Sequence, residues 1–141
     1  MNNSPDQSAT GLWHFSINDD IFLANKLYGT IYSNVVTLQG SHWQGLTGFD
    51  FKIDIVDSIL DNGQQDLPPN GPHNYPLDKN RIRVSYNGKK NNQHFDSAPQ
   101  EGKITICLDP MKKLYFGHLD INFLIDQEPL NIKSVFGIQI T

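Results

Sequence analysis

Apolar and polar residues alternate along most of this chain with a period of two, the spacing of a pleated strand that buries one face. The clearest run is Gly48 to Val56, where Phe49, Phe51, Ile53 and Ile55 alternate with Asp50, Lys52 and Asp54. Such a strand belongs to a sheet with one wet face. Upstream, Trp13, Phe15 and Ile17 share a face, Asn18-Asp19-Asp20 predicts a turn, and Ile21-Phe22-Leu23 resumes the sheet. Strands over Leu27 to Tyr32 and Asn34 to Gln39 follow, broken at Ser33-Asn34. Arg81 to Tyr86 places Ile82, Val84 and Tyr86 on one face, and Asn87-Gly88 predicts a two-residue hairpin turn. Its return, Lys89 to Phe95, is too polar for a central strand and reads as an edge strand or a loop. Lys103 to Leu108, Leu114 to Ile125 and Ile132 to Thr141 are joined by short connections that include Asp109-Pro110 and Asp126-Gln127-Glu128-Pro129, which predicts an antiparallel meander. Gly117 and Gly137, each inside a strand pattern, predict bends or bulges.

Two segments break the alternation. Residues 1–10 hold no apolar periodicity and read as a flexible tail. Residues 57–80 form a long connection of turn formers, with Pro68, Pro69, Pro72 and Pro76. Ile59 and Leu60 are expected to anchor its start through one helical turn. A connection of this length in a compact domain is either functional or disordered.

Composition sharpens the fold class. The chain holds three alanines and two glutamates against fourteen isoleucines, fourteen asparagines and thirteen aspartates. Ala and Glu favour helices, Ile favours sheets, and Asn and Asp favour turns. The expectation is all-β: one antiparallel β-sandwich of about eight to nine strands over residues 11–141, with a small closed β-barrel as the alternative. At 141 residues the core needs no covalent staple. Cys107 is the sole cysteine, so no internal disulfide forms, and its place in an alternating run predicts a small buried or half-buried residue.

The net charge of −4 disfavours nucleic acid, whose phosphates need clustered positive charge. The segment from Lys79 to Lys90, with Arg81, Arg83 and Lys89, reads as charge that protects a solvent-facing strand from edge pairing. No stretch approaches the roughly twenty apolar residues of a membrane helix. No basic-then-apolar leader opens the sequence, so a cytoplasmic location is the default, with leaderless export left open.

Candidate chemistry is sparse. Trp43, between Gly40 and Gly45, and His73 and Tyr75, in the long connection, are the candidate ligand-binding residues. An aromatic shown on a loop can stack on a sugar or anchor a protein. His94 with Asp96, and His118 with Asp120, are candidate metal ligands, because residues two apart on a strand emerge on one face. His14, His42 or His73 would have to supply a third ligand, and no compact zinc spacing occurs. Asp50, Asp54, Asp57, Asp61 and Asp66 form a loose acidic series without the spacing of a calcium loop. A glycosidase would need two acids held across a cleft, which this spacing does not specify. Ser41 adjoins His42, but neighbours on a strand point opposite ways, and no nucleophile elbow or phosphate-cradling glycine loop is present. No catalytic residue and no cofactor is therefore assigned. The functional expectation is a non-catalytic binding or assembly module that uses loops and a sheet edge to contact a protein partner, a second copy of itself, or a carbohydrate. The alternatives are a small metal-dependent hydrolase built on the His and Asp residues, and a β-barrel carrier of an apolar small molecule.

Overall fold

The computed structural model describes residues 7–56, 58–59 and 65–141. The strands are β1 (Gln7–Ile17), β2 (Asp20–Leu23), β3 (Lys26–Tyr32), β4 (Val35–Gln44), β5 (Thr47–Val56), β6 (Ser58–Ile59), β7 (Gln65–Asp66), β8 (Gly71–Tyr75), β9 (Ile82–Lys90), β10 (Gln93–Asp96), β11 (Ala98–Asp109), β12 (Leu114–Ile125) and β13 (Glu128–Ile140). Eleven of them form one antiparallel path, β10-β9-β5-β4-β3-β1-β13-β12-β11-β8, with β2 paired to β1. The path folds into a sandwich. Sheet I holds β10, β9, β5, β4 and β3, and sheet II holds β2, β1, β13, β12, β11 and β8. The terminal strands β10 and β8 do not pair, so the structure is not a closed barrel. The short β6 and β7 pair only with each other.

The two sheets are linked where strands change partner. β1 meets β3 through Gln7 and Ser8, then follows β13 from Ala9 to Ile17. The β2–β3 segment makes a second corner: the Ala24 amide donates to the Trp13 carbonyl at 2.9 Å, and the next amide, Asn25, donates to Ser41 at 2.8 Å. A strand that switches sheets in this way turns a corner without leaving its polar backbone groups unpaired.

The alternation places the core where it was expected. Phe49, Phe51, Ile53 and Ile55 of β5 are buried against Trp13, Phe15, Ile121, Phe123 and Phe136 of sheet II. Trp13 lies at the centre, with ring centroids 5.5 Å from Phe15, 5.9 Å from Phe51 and 5.1 Å from Phe136. Its indole N–H donates to the buried Ser134 hydroxyl, which satisfies the one polar group that so large a side chain brings inside.

Several local expectations change. Residues 7–10, read as part of a tail, belong to β1 and are paired on both sheets. Strand β9 runs through Asn87-Gly88 and turns instead at Asn91-Asn92, both at positive φ (53° and 65°), as a two-residue hairpin loop demands. Gly88 stays in the strand because its backbone lies against β5: a Cβ there would sit 2.1 Å from the Gly48 carbonyl oxygen. Strand β4 continues to Gln44, so Trp43 lies on a strand and not in a loop. Gly117 and Gly137 are not bulges. Their registers are continuous, and each faces a phenylalanine, Gly117 opposite Phe136 and Gly137 opposite Phe116, whose ring occupies the space a side chain would need. The irregular register falls instead between Pro99 and Glu101. Cys107 is exposed on the outer face of sheet II.

The described part of the 57–80 connection is more structured than its composition suggests. Gly71–Tyr75 is strand β8, paired to β11, and a single 3-10 turn covers Asp78–Asn80. Pro72 fits because β8 is an edge strand, where a missing N–H breaks no ladder. Ser58–Ile59 forms the β6 bridge rather than a helical turn. Leu60 and the Asp61-Asn62-Gly63 turn lie outside the described residues.

Candidate cleft at one end of the sandwich

The residues singled out by sequence are dispersed. Trp43 is half-buried on the outer face of sheet I, where its indole N–H donates to Asp50 at 2.9 Å. Asp50 also accepts from the Ser41 hydroxyl at 2.6 Å, and the Asn25 side chain brackets the Trp43 backbone through both its amide and its carbonyl. Tyr75 is a core residue, and the backbone of Val84 hydrogen-bonds its hydroxyl. Burial raises its pKa above the usual phenol value, and that hydrogen bond partly offsets the rise. His73 is half-buried on β8 and its Nε2 donates to the Pro69 carbonyl at 2.6 Å, a contact within the connection itself. Trp43 therefore lies on one sheet, and His73 and Tyr75 on the edge of the other.

The two His and Asp pairs are likewise apart. His94 and Asp96 lie on the edge strand β10 of sheet I, whereas His118 and Asp120 lie on β12 of sheet II. Asp120 accepts from the Asn131 amide at 2.6 Å. Among the described residues, no group of three or more His, Cys, Asp or Glu could hold a metal ion.

The structure brings together a different set. Four turns meet at one end of the sandwich: Asn18-Asp19, Gly45-Leu46, Asn91-Asn92 and Asp126-Gln127. Between them the sheets part to leave a cleft of about 700 Å³, within the range of small-ligand sites. Its floor is aromatic. Phe22, His42, Phe49, Tyr86 and Phe95 come from five different strands, β2, β4, β5, β9 and β10. Successive centroids are 5.2 Å (Phe22 to His42), 6.0 Å (His42 to Phe49), 5.4 Å (Phe49 to Tyr86) and 5.2 Å (Tyr86 to Phe95). The alternation explains why they converge. Phe49 and Tyr86 are buried against Phe15 and Phe123 of sheet II, whereas Phe22, His42 and Phe95 are only half-buried and leave ring surface open to the cleft.

Two floor residues carry polar atoms. His42 Nδ1 lies 2.8 Å from the Leu23 carbonyl oxygen. A carbonyl only accepts, so Nδ1 carries a proton in this contact. Tyr86 is buried, and desolvation pushes its phenol up to about 12. It therefore remains a neutral hydrogen-bonding group across the physiological range.

The rim is charged, and the charges are sorted by sheet. Lys89, Lys90 and His94 stand on the lip formed by sheet I. Asp20, Asp126 and Glu128 stand on the lip formed by sheet II. Sequence reasoning took His94 as a metal ligand and Lys89 and Lys90 as edge-protecting charge, and it read Asp20, Asp126 and Glu128 only as turn residues. The available signal was topological: hairpins that alternate ends place every second turn at the same end of a sandwich.

A second surface has a different character. On the outer face of sheet II, Leu12, Ile21, Leu23, Phe116 and Val135 are exposed. A shallow depression of about 390 Å³ borders Ile21 and Val135, beside His14 and His118. Val135 separates these histidines, which pair with it from the two neighbouring strands.

No protein-family model, curated protein or solved structure matches the chain. Among the described residues no helix is long and apolar enough to cross a membrane.

Proposed function

We propose that this protein is a non-catalytic binding module and that its ligand seats in the end cleft, with a ring or other flat apolar face against the aromatic floor. One observation carries the reading: five rings from five strands converge on the floor of a single concave site whose rim is polar. Apolar floors with a few polar groups on the rim are the common form of small-ligand sites. Rings gain beyond area burial when they pack edge-to-face or offset at these centroid distances. Because the floor belongs to rigid strands, the site is preformed and loses little entropy on binding.

The proposal departs from the sequence expectation in its residues, since Trp43, His73 and Tyr75 do not line this cleft. It keeps the class of function. Carbohydrate and small aromatic molecules both present a flat face with polar substituents, and both fit this chemistry. The test is ligand-observed NMR with N-acetylphenylalaninamide, a neutral ring-bearing probe, against wild type and Phe95→Ala. Saturation transfer to the probe in wild type, with affinity at least fivefold weaker in Phe95→Ala, is the expected result. Equal binding by the two proteins would overturn it.

The second reading, contact with a protein partner or a second copy, is favoured by the exposed apolar side chains on the outer face of sheet II. Several large apolar side chains exposed on one sheet face mark protein contact more often than a single exposed residue does. Under this reading, Val135→Lys abolishes any concentration-dependent association seen by sedimentation. A wild type that stays monomeric at millimolar concentration removes it.

A further inference from the structure

The outer face of sheet I carries a feature that the end cleft does not use. Trp43 leans from β4 across β5: a Cβ on its cross-strand neighbour Gly48 would lie 2.7 Å from Trp43 Cδ2, so the indole fills the space a side chain there would need. One ring face is held against the β5 backbone. The residue is only half-buried, which leaves the other face to solvent. The tilt of the ring is fixed as well. Its Nε1 donates to Asp50 Oδ1 at 2.9 Å, and the same oxygen accepts from the buried Ser41 hydroxyl at 2.6 Å. The Gln39 amide donates to that hydroxyl at 3.1 Å, and Asn25 holds the Trp43 backbone. Four polar side chains thus keep one accessible ring in a single orientation, which lowers the entropy cost of stacking on it.

The groups beside the ring both donate and accept. Cross-strand partners on one face stand about 5 Å apart. The register therefore sets Asn87 beside Asp50 and Lys89 beside Gly48, on the side of the ring away from β4. Asp50 spends Oδ1 on both of its bonds; Oδ2 has no partner among the described residues and is not buried. Asp50 offers an acceptor, Lys89 a donor and the exposed Asn87 amide both. A protein anchor works best in dehydrated surroundings, and a hydrocarbon would strip these groups of water without replacing it. A pyranose meets both demands. Its ring C–H bonds form an apolar face, and its hydroxyls, each a donor and an acceptor, project from the edge. We propose that Trp43 is the stacking platform of a carbohydrate site on the outer face of sheet I. The site takes one neutral pyranose ring, whose hydroxyls bond to Asp50, Asn87 and Lys89.

The experiment follows tryptophan fluorescence as methyl β-D-glucopyranoside is added, a sugar whose substituents are all equatorial and whose ring faces are flat. Trp13 is fully buried and Trp43 is the other of two tryptophans, so a sugar-dependent change reports on Trp43. A saturable change with a Kd on the order of 1–10 mM is expected, with none from sorbitol, which has the hydroxyls without the ring. Saturation transfer to the sugar should vanish in Trp43→Ala and persist, weakened, in Trp43→Phe. Asn87→Ala, at an exposed position, should weaken binding about fivefold with an unchanged urea midpoint. No saturable change in wild type, equal binding by Asn87→Ala, undiminished transfer in folded Trp43→Ala, or tighter binding of thymidine than of the sugar would overturn the inference. Saturating N-acetylphenylalaninamide should leave the sugar's Kd unchanged. Displacement would move the sugar into the cleft, which sinks this site and leaves the cleft reading standing.

Discussion

The two ends of the sandwich are built from similar strands, yet one is sealed and the other open. At the sealed end residues 67–80 of the long connection return over the core. Leu67 and Leu77 pack against it, Pro68 is buried, and Tyr75 is inserted from the edge strand β8. Asn70 fastens the connection to β11, accepting from the Leu108 amide at 2.7 Å and donating to the Leu108 carbonyl at 3.4 Å. At the open end four tight turns reverse the chain, and Phe22, Phe95 and their neighbours line a cleft. A long insertion is usually the first place to look for function. Here it does the work of a core element, and the short turns frame the recess.

Substitutions should separate the ends, and the largest effect belongs to the sealed one. Tyr75→Ala leaves a cavity in a buried site and removes the hydrogen bond with Val84. Urea unfolding is expected to show a loss of about 3–5 kcal/mol. A loss under 1 kcal/mol would mean that the connection does not seal the core. Asn70→Ala comes next, because it removes both hydrogen bonds to Leu108 at once. The expected cost is about 1–2 kcal/mol with no change in ligand affinity, read by the same unfolding assay beside a probe titration. Phe95→Ala, at the open end, should reverse the pattern: about 1 kcal/mol of stability, since the ring is only half-buried, together with weakened binding.

How far the sequence foretold this contrast can be followed through particular residues. The alternation from Phe49 to Ile55 specifies face and core because a strand's period of two admits no other arrangement with one wet side. The meander from β11 to β13 follows from its short turns. Strand β8 was hidden because proline and glycine signal loops, and only an edge position with one partner tolerates Pro72. The turn at Asn91-Asn92 was hidden by the stronger Asn-Gly signal at 87–88, where Gly88 answers a different need, the close approach of β5. The cleft was least legible. Its residues are far apart in sequence, and only strand order shows that their turns share an end.

A smaller effect, in pH, also bears on the comparison. Tyr86, on the cleft floor, ionises near 12 when folded, against about 10 in an unfolded chain. A raised folded pKa means that the unfolded state loses its proton first. The contribution to stability is whole below about pH 10 and is lost as pH climbs towards 12. Burial shifts Tyr75 in the same direction. Urea midpoints should therefore hold steady to about pH 10 and then fall, with a shallower fall in Tyr86→Phe. An identical decline in wild type and variant would contradict the burial of Tyr86.

The most direct test is a map of backbone amide shifts as N-acetylphenylalaninamide is added to the wild-type protein. Perturbations should gather around Phe22, His42, Phe49, Tyr86 and Phe95, with Leu67 to Leu77 and the outer face of sheet II unmoved. Shifts centred on the 67–77 segment, or on Phe116 and Val135 with the cleft silent, would contradict the assignment of an open, ligand-receiving end.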